Sequence, residues 1–168
     1  MTISKMYGTA VKIFLGLLFV GALFGCEFSS KKPENAELLI NETKKIFLQA
    51  KKFNFYKSGR ILIGDDNGNT LGKVLYTDPL SAGARGFRDS VPVMVFLNPE
   101  NKIVAVSLLP NKEDEPYLQR ISDAGFLKRW QGISRDKAIS LRIDSVTGAT
   151  FSSNAIIQSV NTLLREEN

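Results

Sequence analysis

Val91-Pro-Val-Met-Val-Phe-Leu97, Asn98-Pro-Glu-Asn101 and Lys102-Ile-Val-Ala-Val-Ser-Leu-Leu109 decide the fold. Two runs rich in β-branched residues flank a segment whose proline and asparagines favour a tight reversal, the pattern of an antiparallel hairpin. Toward the N-terminus, Arg60-Ile-Leu-Ile-Gly64 is a further apolar run, and Asp65-Asp-Asn-Gly-Asn69 after it is a strong turn signal. Lys73-Val-Leu-Tyr-Thr77 reads as the partner strand of that second hairpin. Strand character begins at Phe53. Before it, Glu34 to Lys52 has helical character, with Leu38, Leu39, Ile40, Ile46, Phe47 and Leu48 set among charged residues in an imperfect stripe. Toward the C-terminus, Ala124 to Trp130 suggests a short helix, Ser134 to Ile139 another turn and Arg142-Ile143 a brief strand. Ile156, Ile157, Val160, Leu163 and Leu164 then recur at helical spacing, so a last helix should start near Ser152 or Ser153, either of which is a suitable N-cap. The expected fold class is α+β: a single domain, an antiparallel sheet with helices at both ends of the chain.

A chain of 168 residues has room for one such domain, and 43% hydrophobic residues with 11 phenylalanines supply its core. There is no histidine and one cysteine. That count excludes an intrachain disulfide, a Ser-His-Asp triad and a structural zinc site, and no metal is expected. The net charge of +5 is spread among acids, with Lys31-Lys32, Lys44-Lys45 and Lys51-Lys52 as the only lysine doublets. A solvated surface explains this better than a nucleic-acid footprint, which needs a clustered stripe.

The first residues read as an export signal. Lys5 and Lys12 precede an apolar run from Ile13 to Gly25, 13 residues long and so shorter than the roughly 20 needed to cross a bilayer. Leu23-Phe24-Gly25-Cys26 resembles a bacterial lipobox, with Cys26 as the lipidated first residue of the mature protein. The competing reading keeps the segment as an uncleaved helical anchor, with Lys12 snorkelling. On the first reading residues 1–25 are a signal peptide, 26–33 a polar tether and 34–168 the domain. Loss of Lys5 and Lys12 with the signal would lower the net charge to +3. Either way the domain is expected outside the cytoplasm and against a membrane.

Asp144-Ser-Val-Thr-Gly-Ala-Thr150, followed by Phe151-Ser-Ser-Asn154, places an acid, a glycine turn, hydroxyls and a helix N-terminus within a few residues. The first amides of a helix lack internal partners and suit a phosphate. Gly148 and Ala149 keep bulk away, and Thr150 presents a hydroxyl. A loop before an ordinary capped helix is the alternative reading of the same residues.

The pattern Asp-x-x-(Ser/Thr)-Gly-Ala-(Ser/Thr) resembles the flavinylation motif of the FMN-binding domain family, whose members include the G subunit of Rnf electron-transport complexes and the C subunit of the sodium-translocating NADH:quinone reductase. In that family a flavin transferase of the ApbE type joins the phosphate of FMN to the last hydroxyl through a phosphoester bond. Asp144, Thr147, Gly148, Ala149 and Thr150 all match, and the resemblance implies Thr150 as acceptor. It extends to Gly86-Phe87, to the Val91–Leu97 and Ile103–Leu108 strands, and to Pro116 and Leu118 of Asp114-Glu-Pro-Tyr-Leu-Gln119, where the family has Glu-Thr-Pro-Gly-Leu-Gly. Tyr117 and Gln119 replace two glycines of that segment. Covalent FMN is thus the expected cofactor, with Phe87, Leu118 and Ser152 joining the Thr150 motif around it, and Tyr117 and Phe151 as further flanking aromatics. The implied partners are a flavin transferase and the subunits of a membrane redox complex. The implied role is that of an electron-transfer subunit rather than a stand-alone enzyme. A lipoprotein that binds FMN reversibly for supply or sensing, and one with a structural or adhesive role and no flavin, are the alternatives.

Three other clusters bear on the site. Glu113-Asp-Glu115 reads as an exposed acidic loop, with a cation site as its alternative. Arg85 and Arg88 flank Gly86-Phe87 and are either surface charges or partners of the flavin phosphate. Asp65 to Thr70 lacks the spacing and distal glutamate of a calcium loop, so it is read as a hairpin turn.

Overall fold

The computed structural model describes residues 32–77 and 84–167, and the expected signal segment 1–25, Cys26 and most of the tether lie outside the described residues. The chain runs α1 (Ala36–Ile46), β1 (Lys52–Tyr56), β2 (Arg60–Gly64), β3 (Thr70–Tyr76), β4 (Val93–Leu97), β5 (Ile103–Leu108), α2 (Glu115–Asp123), a 3-10 turn (Phe126–Trp130), α3 (Arg135–Ser140) and α4 (Thr150–Glu166). The strands form one sheet in chain order, β1-β2-β3-β4-β5, and every neighbouring pair is antiparallel. This is the α+β fold expected from the sequence.

The deciding hairpin pairs Val93 with Leu108 and Val95 with Val106. Its turn closes through Asn98, whose side-chain oxygen accepts from the Lys102 amide at 2.8 Å, while Asn101 takes the left-handed φ of 58° that asparagine tolerates. In the β2–β3 hairpin the Asp65 carboxylate accepts from the amide and the side chain of Asn69, each at 2.8 Å. That is an Asx-stabilised turn.

All of β4 is buried because the sheet is covered on both faces. Met94 and Phe96 point to one face, with Phe55, Ile61, Ile63 and Val74 beneath Leu39 of α1. Val93, Val95 and Leu97 point to the other, where Ile156, Val160 and Leu164 of α4 pack with Phe126 and Trp130. Alternation with period two along one apolar run thus serves two cores. Leu39 is fully buried, so truncating it to alanine would cost about 2–5 kcal/mol.

Four stretches depart from expectation. α2 begins at Glu115, where the sequence suggested no helix before Ala124. Pro116 falls in its first turn, the one helical place where a missing N–H costs nothing. Ala124-Gly125, expected to open a helix, ends this one instead: Gly125 has φ 56°, the left-handed stop, and a 3-10 turn follows. Arg142-Ile143 lies outside any strand. The last helix starts at Thr150 with Ala149 as N-cap, ahead of the serines expected to cap it.

Candidate functional site

The stretch before α4 is held by its backbone. The Ala149 amide bonds the Val146 carbonyl at 2.9 Å, closing a turn in which Gly148 has φ 78°, the conformation of the third residue of a type II turn. A Cβ on Gly148 would also collide with the guanidinium of Arg120 on α2. Ser153, inside the helix, accepts from the Val146 amide at 3.0 Å and donates to the Ala149 carbonyl at 2.6 Å, so one hydroxyl ties both ends of the turn. Arg129 donates to the Asp144 carbonyl at 2.7 Å and fixes the approach to the turn. Val146 and Ala149 are buried; Asp144, Thr147, Gly148 and Thr150 are exposed.

No side chain caps α4. The amides of Thr150, Phe151 and Ser152 have no hydrogen-bond partner among the described residues. Three free donors therefore stand at the positive end of a 17-residue helix, beside the Thr150 hydroxyl. The Arg120 guanidinium, exposed and without an ion pair or hydrogen bond among the described residues, lies against Gly148.

A cleft of about 240 Å³ opens here, lined by Phe87, Tyr117 and residues 148–152. Phe87 meets Tyr117 edge to face at 5.0 Å between ring centres, and the Phe151 ring lies 6.4 Å from it. Phe87 is 47% and Phe151 68% exposed. Among the described residues the only other large apolar side chain so exposed is Leu48, so two of three such side chains mark this cleft.

Beneath it lies Glu113. Only 7% exposed, its carboxylate accepts from the amides of Arg88 at 2.7 Å, Phe87 at 3.1 Å and Asp89 at 3.3 Å, and from the hydroxyl of Ser152. Burial works to raise its pKa, but the hydrogen bonds from Ser152 and the three amides hold it below the ordinary glutamate value. The expected exposed acidic loop is therefore corrected at Glu113. Asp114 is committed as well, accepting from Arg88 Nε at 3.0 Å through both oxygens. Among the described residues no cluster of acids or cysteine suits a metal ion.

The structure thus brings together Thr150, Gly148, Ala149, Ser152 and Phe87, with Tyr117 and Phe151. Asp144 and Thr147 sit on the same loop but do not line the cleft, and Ser152 spends its hydroxyl on Glu113. Leu118 lies elsewhere: it lines a larger cavity of about 550 Å³ among α1, β5, α2 and the 3-10 turn. Sequence reasoning missed Arg120 and Glu113. Arg120 follows Tyr117 by three residues, so on a helix the two share a face; the signal was present but needed α2 to be recognised. Nothing in three consecutive acids tells which one turns inward.

Comparison with known proteins adds a family to this geometry. Residues 86–165 match the model of the FMN-binding domain family. The structure is also similar to the crystal structure of Shewanella oneidensis NqrC, at a TM-score of 0.47 and 17% identity, over 71% of this chain and 67% of that one. No curated protein matches the chain. Among the described residues no helix is long and apolar enough to cross a membrane.

Proposed function

We propose that the FMN-binding domain carried by residues 86–165 holds its flavin as a phosphoester on Thr150 and relays electrons at the extracytoplasmic face of a membrane. The observation that supports this best is the position of Thr150: an exposed hydroxyl on the first residue of α4, between unbonded amides and aromatic rings. The residues fit the group in its two parts. A phosphate takes three donors from the helix end and the free charge of Arg120 beside Gly148. An apolar ring takes the faces that Phe87 and Phe151 leave in water.

Bound FMN supplies one- and two-electron redox chemistry; this chain's residues attach, orient and expose it. Thr150 attaches the phosphate, Gly148 lets it approach the backbone, and Arg120 balances its charge. Phe87, Tyr117 and Phe151 hold the ring. The cleft is smaller than the roughly 300–1,000 Å³ of a pocket that engulfs its ligand. One ring edge therefore stays accessible, as transfer to and from partner proteins requires. No general acid or base is called for, in keeping with a chain that has no histidine. Asp144, exposed and at the loop's entrance, is placed to meet the modifying transferase.

We assign residues 1–25 to a lipoprotein signal and Cys26 to lipid attachment, with 26–33 as tether and the domain from residue 34. Donor and acceptor are then subunits of a membrane redox complex. The test is in-gel flavin fluorescence of the denatured protein, co-expressed with a flavin transferase, beside Thr150→Val. A fluorescent parent band and a dark variant of unchanged circular dichroism are expected. A dark parent band beside a labelled control protein would remove covalent attachment. For the anchor, Cys26→Ser is expected to leave the membrane fraction, and retention of the variant after a salt wash would favour an uncleaved helix.

A further inference from the structure

Phe87 and Ser152 stand on opposite sides of the cleft, on parts of the chain 65 positions apart, and a single carboxylate holds both. Glu113 gathers the amides of Phe87, Arg88 and Asp89, a run of backbone donors with no other acceptor among the described residues. Its remaining bond goes to Ser152, in the first turn of α4 and two residues after Thr150. Close packing reinforces the arrangement: a Cβ on Gly86 would lie 2.8 Å from the Glu113 carboxyl. A buried anion is tolerated only with such a set of donors, and here all the donors come from the two walls of one cleft.

We infer that Glu113 is the positioning residue that latches the Phe87 wall to the Thr150-bearing turn, and that its protonation frees the Phe87 amide from the latch and loosens the grip on the ring. This rests on the reading of the cleft as the flavin site. Only the carboxylate form accepts from all four donors. Protonated, or replaced by glutamine, the oxygen facing Phe87 and Ser152 gains hydrogen that only the Ser152 hydroxyl can accept, so the Phe87 amide loses its acceptor while the other oxygen keeps Arg88 and Asp89.

The direction with pH follows. Glu113 is held below its ordinary pKa in the folded protein, so its latch is intact at neutral pH and is loosened as pH falls through that lowered value. Other charges face the same loop. Arg88 is paired with Asp114, and Asp89 is paired with Lys112 and also held low, first by that bond. Arg85 and Tyr117 lie nearby, and the first turn of α4 contributes no acid. Asp89 titrates with the same sign, so Asp89→Asn serves as control.

The experiment is hydrogen exchange on the full chain without flavin, expressed as protection factors so that intrinsic pH effects cancel. Between about pH 6 and pH 2, a window that reaches below the ordinary carboxylate range, the amide of Phe87 is expected to lose about tenfold or more in protection, while β4 amides hold. Asp89→Asn keeps that step. Glu113→Gln lacks that protection at Phe87 at every pH. Ser152→Ala, which should fold whether or not the glutamine variant does, keeps the step but moves it to higher pH, because one bond favouring the anion is gone. Flat protection in the parent, or a step unmoved by Ser152→Ala, overturns the latch. In flavin-loaded protein, acrylamide quenching of flavin emission should rise several-fold in Glu113→Gln, and unchanged quenching would also overturn it. The exchange result needs no flavin, so failure of Thr150 to carry FMN and failure of the latch are separate outcomes.

Discussion

Gly148 satisfies two demands at once, a left-handed backbone and the passage of a guanidinium. Alanine there would cost about 1–2 kcal/mol for the backbone alone and would displace Arg120 as well. A lowered denaturant midpoint and reduced flavin incorporation are expected together. Arg120→Gln separates the two effects. The side chain is exposed and unpaired among the described residues, so stability should change by no more than about 0.5 kcal/mol. Affinity for free FMN should fall about tenfold, the loss of one charged hydrogen bond. A titration that gives equal affinity for both proteins would show that the charge does not reach the phosphate. Ser153→Ala removes the hydroxyl that spans the turn and should cost about 1–3 kcal/mol in thermal or chemical unfolding, since it leaves the buried Val146 amide unbonded. Thr150 and Gly148 could be read from the sequence because local chemistry defines them. Glu113 could not, because its partners lie far along the chain.

Elements fared according to what ends them. The β2–β3 and β4–β5 hairpins were legible because their turns are written in Asp, Asn, Gly and Pro, and the register follows from period two. α4 was legible from its apolar spacing, but its start was misplaced by two or three residues. Ser152 and Ser153 have capping chemistry, yet tertiary contacts with Glu113 and the Val146 turn claim their hydroxyls. α2 was hidden by Pro116, a breaker everywhere except in a first turn. The far end of α4 has a partner that no local pattern announces: Arg135 of α3 donates to the carbonyls of Leu164 at 2.9 Å and Glu167 at 2.6 Å. These are orphan acceptors of a helix end. Arg135→Met should therefore destabilise the domain by about 1–3 kcal/mol, and equal unfolding midpoints for the two proteins would refute that role.

Across the described residues, one sheet separates two cores, and α1 is the helix that covers the face formed by Ile61, Ile63, Met94 and Phe96. The boundary proposed at residue 34 keeps α1, so a chain starting there should melt within a few degrees of the full chain. One starting at Ala50 uncovers that face and should aggregate or fail to fold; a soluble, cooperative melt would refute this. The strand order has a kinetic consequence. Each strand pairs with its chain neighbour, and all the connections but that between β3 and β4 are short, so assembly needs few distant encounters. The Thr150 turn, by contrast, closes on local bonds but is held in place by distant ones: Arg129 at its approach, Arg120 of α2 against Gly148, and Glu113 on Ser152. A synthetic peptide spanning residues 140–160 has the motif without the scaffold. It should therefore be a poor acceptor for the transferase, which would act as an inspector of finished protein, with the flavin as its stamp.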